Sequence, residues 1–526
     1  MAVANLPVRW LKILDQTRCI GCHACTTACK SENEVPLGVT RTYVKSADVG
    51  VFPQVRRVFQ VTRCNQCSNA PCTAACPTRA MYRRTDGIVD FDKSVCVGCK
   101  ACIAACPYDA IFINPYDHSA EKCNLCAHRL EVGLEPACVV VCPTGAILVG
   151  DGNDSDSAVA RIVAQEPVQV RRPEKETRPG VYYRGGHQAT LDPLAARRPD
   201  GGLFAWATQG QPTPALVTSG HPGRPTSTRT AVLSYDVPHY APWGWRVSLY
   251  TWTKAISAGA FGVPVVLALV GRLSWDNAAV RWAAPTMALA LLAITGILLI
   301  ADLKHPLRFY LIFTRHQWRS WLVRGAVIIG GYGVVLTLYV VAGLVSLTGH
   351  AEPGGIVGLA EPASWLAARQ ALAWVGLPLA LAAAVYTAYL LGQARGRDLW
   401  HSRLLAPHLA VQAVLAGAAA MLPVLGWLSP GRAVSSVEVT LTIAAAADVA
   451  LAAFEIIAPG ANAHARLAVA EMIRGRWARF YWPGLVLVVA AIAAPWLGVA
   501  AAPIALAGLF AHEHAYIQAG QSVPLA

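Results

Sequence analysis

The chain has 526 residues, of which 55% are apolar and 14% charged, with a formal net charge of +13. A mean hydropathy of +0.40 excludes a disordered protein, and the length alone would suggest three or four soluble domains. The basic excess falls largely in loops between apolar runs, so it reflects membrane topology and needs no nucleic-acid partner.

Residues 1–150 hold all sixteen cysteines, in four groups of four. Cys19, Cys22, Cys25 and Cys29 read C-x2-C-x2-C-x3-C, and Cys64, Cys67, Cys72 and Cys76 read C-x2-C-x4-C-x3-C-P. Cys96, Cys99, Cys102 and Cys106 repeat the first spacing, and Cys123, Cys126, Cys138 and Cys142 read C-x2-C-x11-C-x3-C-P. Three thiolates two residues apart wrap one iron–sulfur cubane, while the fourth, often followed by proline, ligates a neighbouring cluster. Sixteen thiolates therefore predict four [4Fe-4S] clusters in an α+β, ferredoxin-like domain. Crossing within pairs joins Cys64, Cys67 and Cys72 with Cys106, and Cys96, Cys99 and Cys102 with Cys76. It likewise joins Cys19, Cys22 and Cys25 with Cys142, and Cys123, Cys126 and Cys138 with Cys29. Eight disulfides would suit a small secreted domain, and the start MAVANLPVRWLKILDQ has no apolar export signal. A zinc ribbon does not pack three thiols so tightly. A row of clusters without a substrate pocket is a wire for single electrons.

Residues 151–242 read as an irregular connector rich in Gly, Pro, Arg and Thr. The aromatics Tyr182, Tyr183, Phe204 and Trp206 favour a segment ordered against a partner subunit over a free tether. Trp243-Gly244-Trp245 then marks entry into a membrane interface.

Residues 243–526 read as an all-α polytopic membrane domain. Eight apolar stretches are long enough to cross about 30 Å of hydrocarbon: 246–271, 283–301, 322–347, 366–392, 404–428, 437–457, 483–499 and 501–520. Only a short turn near Ala502-Pro503 separates the last two, and joining them gives seven. With an even count, both ends of the domain share a side with the loops carrying Lys304, Arg308, Arg315, Arg319, Arg324, Arg395, Arg397, Arg403, Arg466, Arg474, Arg476 and Arg479. The opposite loops carry Arg272, Arg281, Arg369 and Arg432. The positive-inside rule then puts the cysteine domain on the cytoplasmic side of a prokaryotic inner membrane.

A redox partner dissolved in the membrane needs an apolar slot with a few polar groups near the last cluster. Tyr250, Lys254, Asp302, Arg324 and Tyr386 are the candidates at that depth, against a reading as snorkelling, capping and interface-belt residues. His408 and Gln412 share a face early in span five. Asp448 and Glu455 share one in span six, and His512, Glu513 and His514 lie inside the last span. Ionisable groups in hydrocarbon face a pocket or a partner, so these form a proton path or a polar seam. The histidines are too few and irregular to predict haem.

The four cysteine groups, with C-N-Q-C-S-N-A-P-C at 64–72 and C-N-L-C at 123–126, resemble the iron–sulfur subunit of the dimethyl sulfoxide reductase family of molybdenum or tungsten enzymes. The membrane half resembles the NrfD-like polysulfide reductase membrane subunit through Ala301-Asp302-Leu303-Lys304-His305-Pro306-Leu307-Arg308-Phe309, Ser320-Trp321, Arg324-Gly325, Gly392-Gln393-Ala394-Arg395-Gly396-Arg397-Asp398-Leu399-Trp400 and Ala519-Gly520-Gln521-Ser522-Val523-Pro524-Leu525. These parts are often separate polypeptides, and here they are fused. The resemblance implies a non-catalytic subunit that relays electrons between a separate molybdopterin catalytic subunit and menaquinone or ubiquinone. A sulfite or formate dehydrogenase, or a dimethyl sulfoxide reductase-like enzyme, is the expected assembly. The alternative is a redox-driven proton-translocating module.

Overall fold

The computed structural model describes residues 7–197, 231–348, 363–458, 460 and 462–526. Phe204 and Trp206 lie outside the described residues.

The cysteine half is α+β. Its main sheet runs β8-β1-β10-β9, from β8 (Ile147–Asp151), β1 (Trp10–Asp15), β10 (Val181–Arg184) and β9 (Val168–Gln169). The central strand β1 pairs antiparallel with β8 and parallel with β10. A second, antiparallel sheet runs β11-β2-β3, from β11 (Val232–Tyr235), β2 (Thr42–Val51) and β3 (Gln54–Arg63). Two hairpins, β4–β5 (Met81–Arg83, Val89–Phe91) and β6–β7 (Ile111–Ile113, Ala120–Lys122), flank the inner cysteine groups.

The cysteine loops lead into short helices: α1 (Ala24–Glu32), α2 (Pro71–Ala75), α3 (Ala101–Ala105), α4 (Ala127–Leu130) and α5 (Ala137–Val140). Helices α2 and α3 pack together, as do α1 and α5, so the inner cysteine groups are nested inside the outer ones. Alternation along β1 divides its faces. Leu11 and Ile13 pack with Val159 of α6 (Ala158–Gln165), whereas Leu14 joins Cys25 and Cys138 and Lys12 points the same way.

Within the described residues 151–197 and 231–242, the structure shows short ordered elements where the sequence reads as an irregular connector. Strands β9, β10 and β11 and the short helix α7 (Gln188–Leu191) are built into the cysteine domain itself. These strands have two to four residues, too few to leave a visible alternation. Tyr183 is fully buried there.

In the membrane half, α8 (Trp245–Leu269) is the hub, packing on α9 (Ala284–Ala301), α12 (Ala363–Gly392), α13 (Leu405–Leu428) and α18 (Ala501–Ser522). Between α9 and α12 lie the short α10 (Leu311–Thr314) and α11 (Trp321–Thr348); after α13 come α14 (Arg432–Ile457), α15 (Ala463–Ile473), α16 (Ala478–Ala491) and α17 (Ala494–Leu497). Helices α8 and α13 touch backbone to backbone, because a Cβ on Gly259 would fall 1.8 Å from the Ala413 carbonyl oxygen. Small residues permit such approach between membrane helices.

Among the described residues, seven helices are long and apolar enough to cross a membrane. The run expected at 483–499 is instead α16, fourteen residues long, and α17. Pro495 in the first turn of α17 and Gly498, at φ +55°, break it there. This shorter pair still follows α18 closely. Trp477 Nε1 donates to Ser522 Oγ at 2.9 Å beside one end, and a Cβ on Gly426, at the other end of α13, would meet Val499.

The segment entering the membrane is pinned by charge. His239 Nδ1 lies 2.6 Å from Asp109 and its Nε2 3.1 Å from Asp236. Burial disfavours the imidazolium, but the Asp236 and Asp109 carboxylates outweigh it and push the pKa up to about 9. Against an unfolded value of about 6.5, the stabilisation is fully present below about pH 6.5, fades above it and is gone beyond about pH 9. Amide exchange across Val232–Tyr235 is therefore expected to rise between about pH 7 and 9.5 faster than base catalysis alone explains. The His239→Gln protein should lose that excess.

Candidate functional site

All sixteen thiols are free. One cavity is bordered by Cys19, Cys22, Cys25 and Cys142, and a second by Cys29, Cys123, Cys126 and Cys138. Cys67 has Cys64 and Cys106 as thiol neighbours, and Cys72 neighbours the same two. Cys102 has Cys99, Cys76 and Cys96. The sets are also ordered. Cys25 faces Cys138, Cys64 faces Cys123, and Cys102 faces Cys72. The row starts at exposed Cys22 and ends at Cys76, Cys96, Cys99 and Cys102.

Local backbone explains the loops. Gly21 and His23 have φ of +72° and +60°, and Gly98 and Lys100, at the equivalent positions of the repeated motif, have +67° and +64°. Left-handed residues within these loops turn successive amides inward, a geometry suited to anions. Amides also reach sulfur directly: Met81 N donates to Cys76 Sγ at 3.3 Å, Ala120 N to Cys96 Sγ at 3.4 Å, and Ala146 N to Cys142 Sγ at 3.2 Å.

Burial pushes the Cys29 and Cys67 thiols up to about 12 and Cys106 to about 11. Sulfur held so deeply is a thiolate only with positive charge supplied at the site, and a metal cluster supplies it. Cys138 differs: burial raises it too, but Lys12 and Arg63 overcome that and bring it down to about 6. The donor set, the inward amides and these cations all fit iron–sulfur clusters.

The last thiol set sits on the membrane half. His305 N donates to the Val97 carbonyl at 3.2 Å and Lys304 N to that of Gly98 at 3.4 Å. Arg308 Nη1 donates to the Cys96 carbonyl at 3.1 Å, Trp243 Nε1 to Cys99 at 3.3 Å, and Gln317 Nε2 to Cys76 at 3.0 Å. Lys100 pairs with Asp302 at 3.0 Å.

Of the five candidates in the membrane half, Tyr250, Lys254 and Tyr386 are buried. Lys254 Nζ lies 4.5 Å above the Tyr386 ring and donates to the Ala384 carbonyl at 3.0 Å and to Thr387 Oγ1. Tyr250 has Tyr386 and Asp302 as neighbours, although Asp302 is engaged by Lys100. Arg324 stands apart: its Nε donates to the Trp318 carbonyl at 2.6 Å and its guanidinium stacks 4.9 Å over Trp321. A first-turn position gives depth but not direction, and this arginine faces outward at the rim.

Thr387 also borders a small cavity with Thr251, His408, Gln412, His512 and Glu513. Glu513 Oε2 accepts from Thr251 at 2.9 Å. His408 bridges two carboxylates, with Nε2 2.9 Å from Asp448 and Nδ1 3.2 Å from Glu455. Both ring nitrogens of buried His512, Glu513 Oε1 and Glu455 Oε2 have no hydrogen-bond partner among the described residues. The space measures about 20 Å³, the size of a water with polar neighbours. Thr251 and Thr387 carry no mark in the sequence, because helical hydroxyls are common in apolar segments; only their spacing from Lys254 and Tyr386 could have singled them out.

Comparison with known proteins agrees with this division. The family model described as 4Fe-4S dicluster domain matches residues 55–152, and that described as polysulphide reductase, NrfD, matches residues 235–524. The cysteine half is 44% identical over 193 residues to a subunit of the tetrathionate reductase of Salmonella typhimurium, covering 36% of this chain and 77% of that protein. It is 42% identical over 181 residues to one polypeptide of the polysulfide reductase of Wolinella succinogenes, covering 33% and 95%. Against protein NrfC of Escherichia coli it is 42% identical over 178 residues, covering 33% and 80%.

The seam between the halves gives a test. A Cβ on Gly98 would stand 2.4 Å from Lys304 Cβ, on a residue at φ +67°. Gly98→Ala is expected to cost about 1–3 kcal/mol by overpacking, read as a lower Tm of the detergent-solubilised protein, whereas Gly133→Ala, with no atom near, should cost less.

Proposed function

Since this protein belongs to the polysulphide reductase NrfD family and carries a 4Fe-4S dicluster domain in front of it, we propose that it relays electrons between a separate molybdopterin catalytic subunit and the quinone pool. Four [4Fe-4S] clusters held by the sixteen cysteines in the four crossed sets would supply one-electron steps. The observation that carries this reading is the row of thiol sets, running from exposed Cys22 to the set seated on Trp243, Asp302 and Arg308. The cysteine domain lies against the basic loops of the membrane half, which favours the cytoplasmic side.

Quinone chemistry needs protons at a carbonyl. Lys254 and Tyr250 are buried donors near the inner end of the row, and Thr387 holds the ammonium while the Tyr386 ring supports it through cation–π attraction. We place the quinone headgroup beside these residues. The cavity at Thr251 and Glu513 is water-sized, so its residues hold or pass protons to that site.

Anaerobic protein in detergent should contain about sixteen irons per chain, and added quinol should reduce its clusters. Lys254→Met and Tyr250→Phe are expected to slow that reduction about a hundredfold while dithionite still reduces the clusters. Iron well below eight per chain with stoichiometric zinc would overturn the relay.

A second reading follows from the His408–Asp448–Glu455 cluster: quinone redox energy drives protons across the membrane. Asp448→Asn should then abolish any proton-to-electron excess in vesicles and leave quinone turnover intact. Unchanged stoichiometry would confine the cluster to a structural or local role.

A further inference from the structure

Two cations without a carboxylate of their own are buried against one sulfur, that of Cys138, and Arg63 also neighbours Cys25 of the adjoining set. Lys12, on the central strand β1, is fully buried and donates from Nζ to Cys138 Sγ at 3.3 Å. Arg63, 1% exposed at the end of β3, donates from Nη1 to the same sulfur at 3.1 Å. Among the described residues neither forms an ion pair with a carboxylate, and Arg63 Nε and Nη2 have no hydrogen-bond partner. Asn33 adds an amide 3.6 Å from Cys126 Sγ and 3.8 Å from Cys29 Sγ.

The other sets are treated differently. Lys122 is buried beside Cys64 and also hydrogen-bonds it, but this single ammonium is shared with the carbonyls of Val89 and Cys123. Lys100, beside Cys99, is neutralised by Asp302. Cys142 receives the Ala146 amide, in a set whose Cys22 is open to solvent. Adding an electron makes a cluster more negative, so buried cations and hydrogen bonds to sulfur favour the reduced form, and solvent weakens that effect elsewhere.

We propose that Lys12 and Arg63 make the centre held by Cys29, Cys123, Cys126 and Cys138 the most easily reduced of the four, an electron reservoir one step in from the exposed end. This rests on the four-cluster reading above. The step involves one electron and no bond change: the neighbouring centre is oxidised as this one is reduced, and the two fixed cations balance the added charge. Electrons entering from either end collect there, so the wire holds a charge between turnovers.

The test is an EPR-monitored redox titration of the full-length chain in detergent. In Lys12→Gln and Arg63→Gln, the signal with the highest midpoint in the unaltered protein should fall by at least tenfold in its reduction equilibrium constant, which is 59 mV for a one-electron couple. In Lys12→Gln the other three midpoints should stay in place, whereas Arg63→Gln should also lower that of the centre holding Cys25, which Arg63 neighbours. The charge-keeping variants Lys12→Arg and Arg63→Lys should retain most of the midpoint, which a purely structural role would not require. If Arg63→Gln loses iron, Lys12→Gln and Asn33→Leu read the same midpoint. An unmoved highest signal in protein with about sixteen irons, or movement of a lower one instead, overturns the proposal. An unaltered protein with far fewer irons sinks the four-cluster reading itself.

Discussion

A buried thiolate is unstable unless positive charge comes within reach of its sulfur, and the first domain is organised round that requirement. Most of its cysteines are buried, shielded from water by short helices, hairpins and paired strands that are individually too small to be stable. Left-handed residues in the cysteine loops aim amides inward, Lys12 reaches in from the central strand, and Arg63 reaches in just before Cys64. Among the described residues neither of these two cations forms an ion pair with a carboxylate. The metal centres they surround are therefore part of the core in the energetic sense, as in other small metal-organised domains.

The second requirement is continuity between the halves. The proposed relay needs a fixed, close contact between them, and backbone carbonyls of the last thiol set make one with the membrane half. Arg308, Trp243 and Gln317 each donate to a cysteine carbonyl, leaving the sulfurs to their own donors. Below that seam, Lys254, Thr387 and Tyr386 form a polar patch in an otherwise apolar bundle. Next to it lies the His408, Asp448 and Glu513 cluster. Burying so many ionisable groups in helices surrounded by hydrocarbon is costly, and pairing of His408 with Asp448 and Glu455 offsets part of that cost.

How much of this was legible in the sequence depended on range. The cysteine groups were readable because ligand geometry is local, written in spacings of two and three residues. Asp448, Glu455, His512 and Glu513 were readable because a charge stands out in an apolar run. Their convergence on His408 was less visible, since it needs the mutual rotation of three helices. The outward direction of Arg324 was illegible for the same reason. Asp302 proved to belong to the seam, paired with Lys100 some 202 residues earlier, and no local pattern carries that information. Strands β9 and β11 escaped notice because two to four residues cannot express a period.

The seam at Trp243 also has a timetable. Trp243 N donates to Gln521 Oε1 at 3.0 Å, and Gln521 Nε2 donates back to the Trp243 carbonyl at 2.7 Å. Gln521 leaves the ribosome 379 residues after Cys142, which at about 5–20 residues per second is roughly 20–80 s. For that interval the last cysteine loop lacks its finished floor. Because the two halves share one chain, this contact closes only after all the cysteines have long been made.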